Sequence, residues 1–289
     1  MTPDYITDEY LDRFIKQALQ EDVGDGDHST LCCVGERQTA SAHLMVKEDG
    51  ILAGVALAQR IFKHFDPELS LKVSLTDGAT VRRGDIAFIV YGRARSILTT
   101  ERLVLNCMQR MSGIATATRR MVEATAGTHA KIIDTRKTTP NFRLPEKWAV
   151  SIGGGQNHRL GLYDMIMLKD NHVALAGGIR EAILRAKDYI RATGKKLKVE
   201  IEVVNVEQAV EAAETGQVDV IMLDNMSPDE MAKAVKAIAG RCTTEASGGI
   251  TMETIRSVAQ TGVDYISVGA LTHSVRSLDL SLKIRVDKN

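Results

Sequence analysis

The sequence predicts an α/β protein: an incomplete β/α barrel of six or seven strands preceded by an N-terminal α+β sandwich domain. Two observations carry this. In the second half, six short apolar runs each end in a charged or glycine-rich cluster: Lys131 to Lys137, Met165 to Asn171, Val199 to Val203, Val220 to Asn225, Thr244 to Gly249 and Tyr265 to Ala270. Buried parallel strands read as brief β-branched runs without strict alternation, and a barrel carries its functional groups where such strands end. From Thr39 to Tyr91, by contrast, strand-like stretches follow one another between turn signals at Glu48-Asp-Gly50, Asp77-Gly78 and Arg83-Gly84-Asp85. That pattern belongs to a separate layer of strands.

Each element has its own signal. Beyond Thr7, the residues Tyr10, Leu11, Phe14, Ile15, Ala18 and Leu19 recur at helical spacing behind an acidic first turn, so an amphipathic helix opens the chain. The stretch Glu21 to Thr30 is rich in aspartate and glycine but lacks the ligand spacing of an EF-hand, and reads as a helix stop and loop. Val55 to Phe65 is helical, and Ile97 to Ala126 is a long helical pattern expected to break near Ser112-Gly113, where the domain change is placed. Strand ends at Lys169, Glu202, Asp224, Ser247 and Gly269 are then spaced by 33, 22, 23 and 22 residues, each about one βα unit. Helices fill the gaps at Ile179 to Thr193, Val206 to Thr215, Ser227 to Ala239 and Thr251 to Thr261. The expected domains are 1–112 and 113–274, with the tail 275–289 packing back on the first.

Composition narrows the function. With 289 residues and 44% hydrophobic content the chain can build a sizeable core. Lys plus Arg and Asp plus Glu are both 37, so no global field favours nucleic acid or an anionic membrane. Cys32, Cys33, Cys107 and Cys242 show no C-x-x-C spacing, which suits a reducing, cytoplasmic setting better than a zinc site or a disulfide framework. The polar start, Met1 to Tyr5, has no leader pattern, and no run approaches a membrane span.

Local charge does the rest. Between Lys131 and His172 seven Lys or Arg face four acids. Lys131, Arg143 and Lys147 read as a solvated face. Arg136, Lys137 and Lys169 follow directly on strand runs, where a barrel points side chains into its mouth, and Gly153-Gly-Gly155 delivers His158 and Arg159 to the same place. A planar guanidinium matches a carboxylate in bidentate fashion, so a substrate with several carboxylates is the expected tenant. Ser247-Gly248-Gly249 and Val268-Gly269-Ala270 present bare backbone N–H groups on the last two strand ends, where barrels bind phosphate. Between the two sectors stand Glu202, sharing a face with Glu200, and Asp224. Carboxylates beside a diphosphate imply Mg²⁺, held by one or two acids and the substrate oxygens.

Taken together, Asp134-Thr-Arg-Lys-Thr138, Gly153-Gly-Gly-Gln-Asn-His-Arg159, Leu168-Lys-Asp-Asn-His172, Val199-Glu-Ile-Glu202, Leu223-Asp-Asn225, Ser247-Gly-Gly-Ile250 and Val268-Gly-Ala-Leu-Thr-His-Ser274 resemble the quinolinate phosphoribosyltransferase family, as do Thr100-Glu-Arg102 and the Glu21 to Asp27 loop. The resemblance implies a type II phosphoribosyltransferase that joins quinolinate to 5-phosphoribosyl 1-diphosphate, giving nicotinate mononucleotide, diphosphate and CO₂ on the de novo route to NAD. It further implies a homodimer with shared sites, in which Arg102 comes from the partner subunit. Thr135, Arg136, Lys137, His158, Arg159 and Lys169 would hold quinolinate; Lys137, Lys169, Glu202 and Asp224 would form the catalytic group. Glu202 and Asp224 would face the ribose and a Mg²⁺-diphosphate, and Ser247 to Gly249 with Val268 to Ala270 would take the 5′-phosphate. Two other readings fit parts of the pattern: a molybdenum-transport-associated relative of the same fold, and a Schiff-base lyase using Lys137 or Lys169 as nucleophile.

Overall fold

The computed structural model describes residues 2–285. The chain runs through α1 (Asp8–Val23), α2 (His28–Cys33), β1 (Thr39–Val46), β2 (Gly50–Ile51), α3 (Val55–Phe65), β3 (Ser70–Val73), β4 (Thr80–Val81), β5 (Ile86–Arg93) and α4 (Ala94–Ala124). It continues with β6 (Lys131–Ile133), α5 (Arg143–Gly153), β7 (Ile166–Leu168), α6 (Asp170–Ala176), α7 (Ile179–Thr193), β8 (Val199–Val203) and α8 (Val206–Glu214). The remainder is β9 (Val220–Asp224), α9 (Pro228–Ile238), β10 (Thr243–Ser247), α10 (Ile255–Ala259), β11 (Tyr265–Ser267), α11 (Ala270–His273) and β12 (Leu280–Arg285). Two compact units result: one of residues up to Arg119 with Thr138–Gly154 and the segment from Thr272, the other of Arg120–Lys137 and Gly155–Leu271.

The first unit is built on an antiparallel sheet of order β12-β1-β5-β3. Its centre is apolar because β1 and β5 pair with Ala42 opposite Val90 and Leu44 opposite Phe88, all four buried. Phe62 of α3 meets Phe88 edge to face at 6.1 Å, covering the sheet with a helix. The C-terminal strand β12 closes one edge, with Leu282 opposite Leu44; residues 286–289 of the expected tail lie outside the described residues. In the Glu21 to Thr30 stretch, α1 stops at Gly24 (φ 56°). Asp27 then caps α2 by accepting from the Thr30 N–H at 3.1 Å.

Three expectations change here. The long helix α4 runs through Ser112-Gly113 without a break. Both small residues serve contacts instead: Ser112 Oγ accepts from Ala53 N and donates to Ala53 O, while a Cβ at Gly113 would lie 2.2 Å from the Arg276 carbonyl. Residues 113–119 and 138–154 belong to the first unit, not to the barrel, because α5 packs against α4. There Gly153 lies so near Ala115 and Thr118 that a Cβ would stand 2.6 Å from each, and Arg110 pairs with buried Glu146 at 2.9 Å. For the same reason Lys147, read from sequence as a solvated cation, is fully buried within α5.

An acid-sensitive pair helps to hold this unit. Buried Asp66 accepts from Arg93 Nε and Nη2 at 2.8 and 2.7 Å and from Ser96 Oγ at 2.6 Å. The Arg93 guanidinium, outweighing burial, holds the Asp66 carboxyl well below the usual carboxylate range. A depressed carboxylate stabilises the fold above its unfolded pKa of about 3.9, and that stabilisation is lost as pH falls through the folded value. Asp66→Asn is therefore expected to cost about 2 kcal/mol at neutral pH. Urea unfolding of the two proteins should converge as the pH is lowered below about 4; a constant difference across that range would exclude this linkage.

The second unit is a six-stranded, all-parallel sheet of order β6-β11-β10-β9-β8-β7. Its helices follow local signals, as at α9, where Ser227 and Glu230 form a capping box with Pro228 in the first turn. Ile201, Ile221, Leu223, Ala246 and Ile266 are fully buried along alternate positions of the strands. The other alternate positions carry the polar residues.

Candidate active site

Strand register brings the polar residues together before any side-chain contact is considered. Glu200 lies opposite Met167, Glu202 opposite Met222, Met222 opposite Glu245, and Asp224 opposite Ser247. Side chains alternate across a strand, so these residues share one face, and Lys169 joins them two positions beyond Met167. Ser267 lies opposite Ile133, and the same alternation carries Gly269 and Thr135 to that face. Their strand ends all point one way because the sheet is parallel.

Contacts then specify the geometry. Lys169 Nζ meets Glu202 Oε2 at 2.5 Å, with the lysine half exposed and the glutamate largely buried. A Schiff-base amine needs desolvation without a counter-ion, and Lys169 has the opposite setting. Asp224 Oδ2 accepts from Asn225 Nδ2 at 2.6 Å. Asn225 is left-handed (φ 54°) and donates its N–H to Ser247 O at 2.9 Å, which ties the ends of β9 and β10. At Gly248 a Cβ would fall 2.2 Å from Asn225 Oδ1, so glycine is required by that close approach. Gly249 (φ 59°) faces open space instead, leaving its backbone accessible. On the neighbouring strand Val268 N donates to Ile133 O at 3.0 Å, directly before Gly269 and the first residue of α11, Ala270.

The segment Gln156 to Arg159 closes the curl of the sheet. Gln156 bridges to Ile133 beside β6, and Asp134 accepts from Asn157 Nδ2 at 2.7 Å and from His158 N at 2.9 Å. From that edge, Arg159 Nη1 reaches Met165 O at 3.4 Å, next to β7 at the opposite end of the strand order. His158 Nε2 reaches Glu200 Oε2 at 2.9 Å and Glu245 Oε2 at 3.4 Å, and all three side chains are buried. The barrel is thus closed by side chains where a backbone ladder is missing.

Electrostatics set this region apart. Burial and the neighbouring Arg136 guanidinium both push the Arg159 pKa down, so two like charges stand together in a partly dry place. An anionic substrate relieves that repulsion. Burial lifts the Glu200 carboxyl to about 7, with His158 opposing and Glu245 reinforcing the rise. At His158 burial disfavours the charged ring, while the nearby Glu200 and Glu245 favour it. The Arg159 N–H contradicts a charged ring, since it donates to His158 Nδ1 at 2.7 Å and a protonated Nδ1 cannot accept. The hydrogen bond decides: His158 is neutral, with its proton on Nε2 facing the glutamates.

Residues 114–283 match the C-terminal domain of quinolinate phosphoribosyl transferase, and residues 27–112 match its N-terminal domain. The chain belongs to the quinolinate phosphoribosyltransferase family. It is 47% identical to quinolinate phosphoribosyltransferase [decarboxylating] 1b of Nicotiana tabacum, over 93% of this chain and 81% of the relative. It is 43% identical to the probable nicotinate-nucleotide pyrophosphorylase [carboxylating] of Bacillus subtilis, over 95% and 93%. The crystal structure of NadC from Streptococcus pyogenes superposes with a TM-score of 0.92 at 44% identity, covering 97% of this chain and 98% of that one.

Within this family member, Thr135, Arg136, Lys137, Lys169, Glu202, Asp224, Ser247 to Gly249 and Val268 to Ala270 lie in the second unit at or just beyond strand ends, and His158 and Arg159 lie in the same unit on the segment that follows the Gln156 bridge to β6. Arg102 stands apart from them in sequence and unit, exposed on α4. Sequence reasoning passed over Asp134, Asn157 and Glu245. Asp134 and Glu245 had a readable signal, a carboxylate inside or directly after an apolar strand run, which burial makes costly unless a specific partner exists.

Proposed function

We propose that the chain transfers the phosphoribosyl group of 5-phosphoribosyl 1-diphosphate to quinolinate, with loss of CO₂, to give nicotinate mononucleotide and diphosphate. The observation that carries this is the order of groups along neighbouring strand ends, Lys169, Glu202, Asp224 and then the two glycine turns, together with the Arg136 guanidinium near Arg159. The pyridine nitrogen attacks ribose C1 as the C1–O bond to diphosphate breaks, its electrons leaving with diphosphate. The quaternised ring then accepts the electrons of its C2–carboxylate bond as CO₂ departs, and that carbon takes a proton.

In this reading the arginines and Lys169 orient the two carboxylates, and Glu202 and Asp224 stabilise the cationic ribosyl carbon by preorganised charge. The two acids are hard oxygen donors on adjacent strand ends and suit Mg²⁺ together with diphosphate oxygens. Bound there, Mg²⁺ supplies charge neutralisation to the leaving group. A homodimer belongs to the proposal, with exposed Arg102 serving the partner's site. So does a cytoplasmic setting, in which the free thiols Cys32, Cys33, Cys107 and Cys242 stay reduced.

The decisive assay mixes the protein with quinolinate, 5-phosphoribosyl 1-diphosphate and Mg²⁺, with nicotinate as the control acceptor. Equimolar nicotinate mononucleotide and CO₂ from quinolinate, and little product from nicotinate, are expected; preference for nicotinate would overturn the reading. Glu202→Gln and Asp224→Asn should keep the fold and quinolinate affinity but lower kcat by about 10²-fold or more and shift the Mg²⁺ dependence. Lost thermal stability with intact turnover would instead make them salt-bridge partners only.

A further inference from the structure

The proposed chemistry leaves two buried acids without a task. Glu200 and Glu245 lie one alternation below Glu202 and Ser247 on the polar face. They are almost wholly buried, and a buried carboxylate is costly unless a specific contact compensates it. Both point at one atom, His158 Nε2. The same ring takes the Arg159 backbone N–H on its other nitrogen, and the His158 N–H is held by Asp134. The ring is therefore hydrogen-bonded at Nδ1 to the backbone of Arg159, while at Nε2 the two carboxylates close on it at 2.9 and 3.4 Å without an aligned hydrogen bond.

We propose that Glu200 and Glu245 are positioning residues of the transfer site: by closing on His158 Nε2 from two strands they confine the imidazole and so set where Arg159 meets a substrate carboxylate. The proposal rests on the quinolinate-transfer reading. It also explains why acids occupy an otherwise apolar interior, since an apolar pair would fill the space but leave the ring free to turn. A displacement of about 1 Å at a positioned group can cost on the order of 100-fold in rate, so a small rotation here matters.

The test separates aim from packing. Glutamine keeps the shape and a polar oxygen beside the ring, so Glu200→Gln and Glu245→Gln should each retain most of the activity. The double replacement Glu200→Leu with Glu245→Leu removes both polar groups beside Nε2 at similar volume and should stay folded, since apolar replacements of buried charges are often tolerated. It should raise KM for quinolinate about 10-fold or more, with KM for 5-phosphoribosyl 1-diphosphate unchanged. Nitrogen-15 NMR of histidine-labelled protein should show wild-type His158 with an unprotonated Nδ1 and a protonated Nε2, and an averaged ring in the double variant. If the double variant does not fold, the glutamine variants and the wild-type spectrum carry the test. Equal rises in both KM values, glutamine variants as damaged as the leucine pair, or a wild-type ring averaging between tautomers would each overturn the proposal. The spectrum needs no substrate, so it reads the cluster even if quinolinate transfer itself is disproved.

Discussion

Replacing Arg159 with alanine is expected to cost about 2 to 5 kcal/mol in kcat/KM for quinolinate, and Arg136→Ala a comparable amount. The reason is the paired placement of the two guanidiniums. Burial and the Arg136 guanidinium disfavour charge on Arg159, and a dicarboxylate offsets that penalty while gaining two forked ion pairs. Removing one arginine leaves a carboxylate buried against nothing. Arg136→Lys should also lose most activity, because an ammonium cannot reproduce the planar fork. Arg159 has a second duty, reaching Met165 O across the opening in the sheet, so its alanine variant should also melt earlier than Arg136→Ala. Steady-state kinetics with quinolinate varied, alongside thermal melts, check both statements; a change below about threefold in kcat/KM for both variants would remove them from the site.

Arg102→Ala and Lys169→Ala chains, each inactive alone, are expected to regain activity when mixed. Lys169 stands on the polar face beside Glu202, whereas Arg102 is exposed on α4, which begins in the other unit. If each subunit lends Arg102 to its partner, a two-fold arrangement serves both sites at once. A mixed dimer then holds one site with both residues intact and one with neither, so about half of the wild-type activity per mixed dimer should return. Subunit exchange would be verified by pull-down with two tags. Exchange without recovered activity would place Arg102 in its own chain's site or outside it, and the shared-site arrangement would fall.

Much of this was legible because local chemistry and tertiary role agree in the strands. The run Val199-Glu-Ile-Glu-Val203 is β8, and its alternation already put Glu200 and Glu202 on one face. Ser227-Pro-Asp-Glu announced α9, and Val55 to Phe65 and Ile179 to Thr193 are helices over those same residues. The misreadings have one cause. Ser112-Gly113 looks like a helix break, yet the pair lies inside α4 because a distant segment, Arg276 and Ser277, needs the space. Gly153 likewise admits α4, and Lys147 is buried although its neighbours in sequence suggested a solvated cation. In each case the partner is far along the chain, where periodicity carries no information.

By itself the sequence determined the six strand ends, the faces of their side chains and the chemistry gathered there, since alternation, caps and glycine turns act over a few residues. Only the tertiary structure decided that Gln156 to Arg159 crosses from β6 to the β7 side and that Glu200 and Glu245 converge on His158. These depend on how a parallel sheet curls. That curl brings together residues dozens of positions apart, and it is set by packing of the whole unit, which no local pattern encodes.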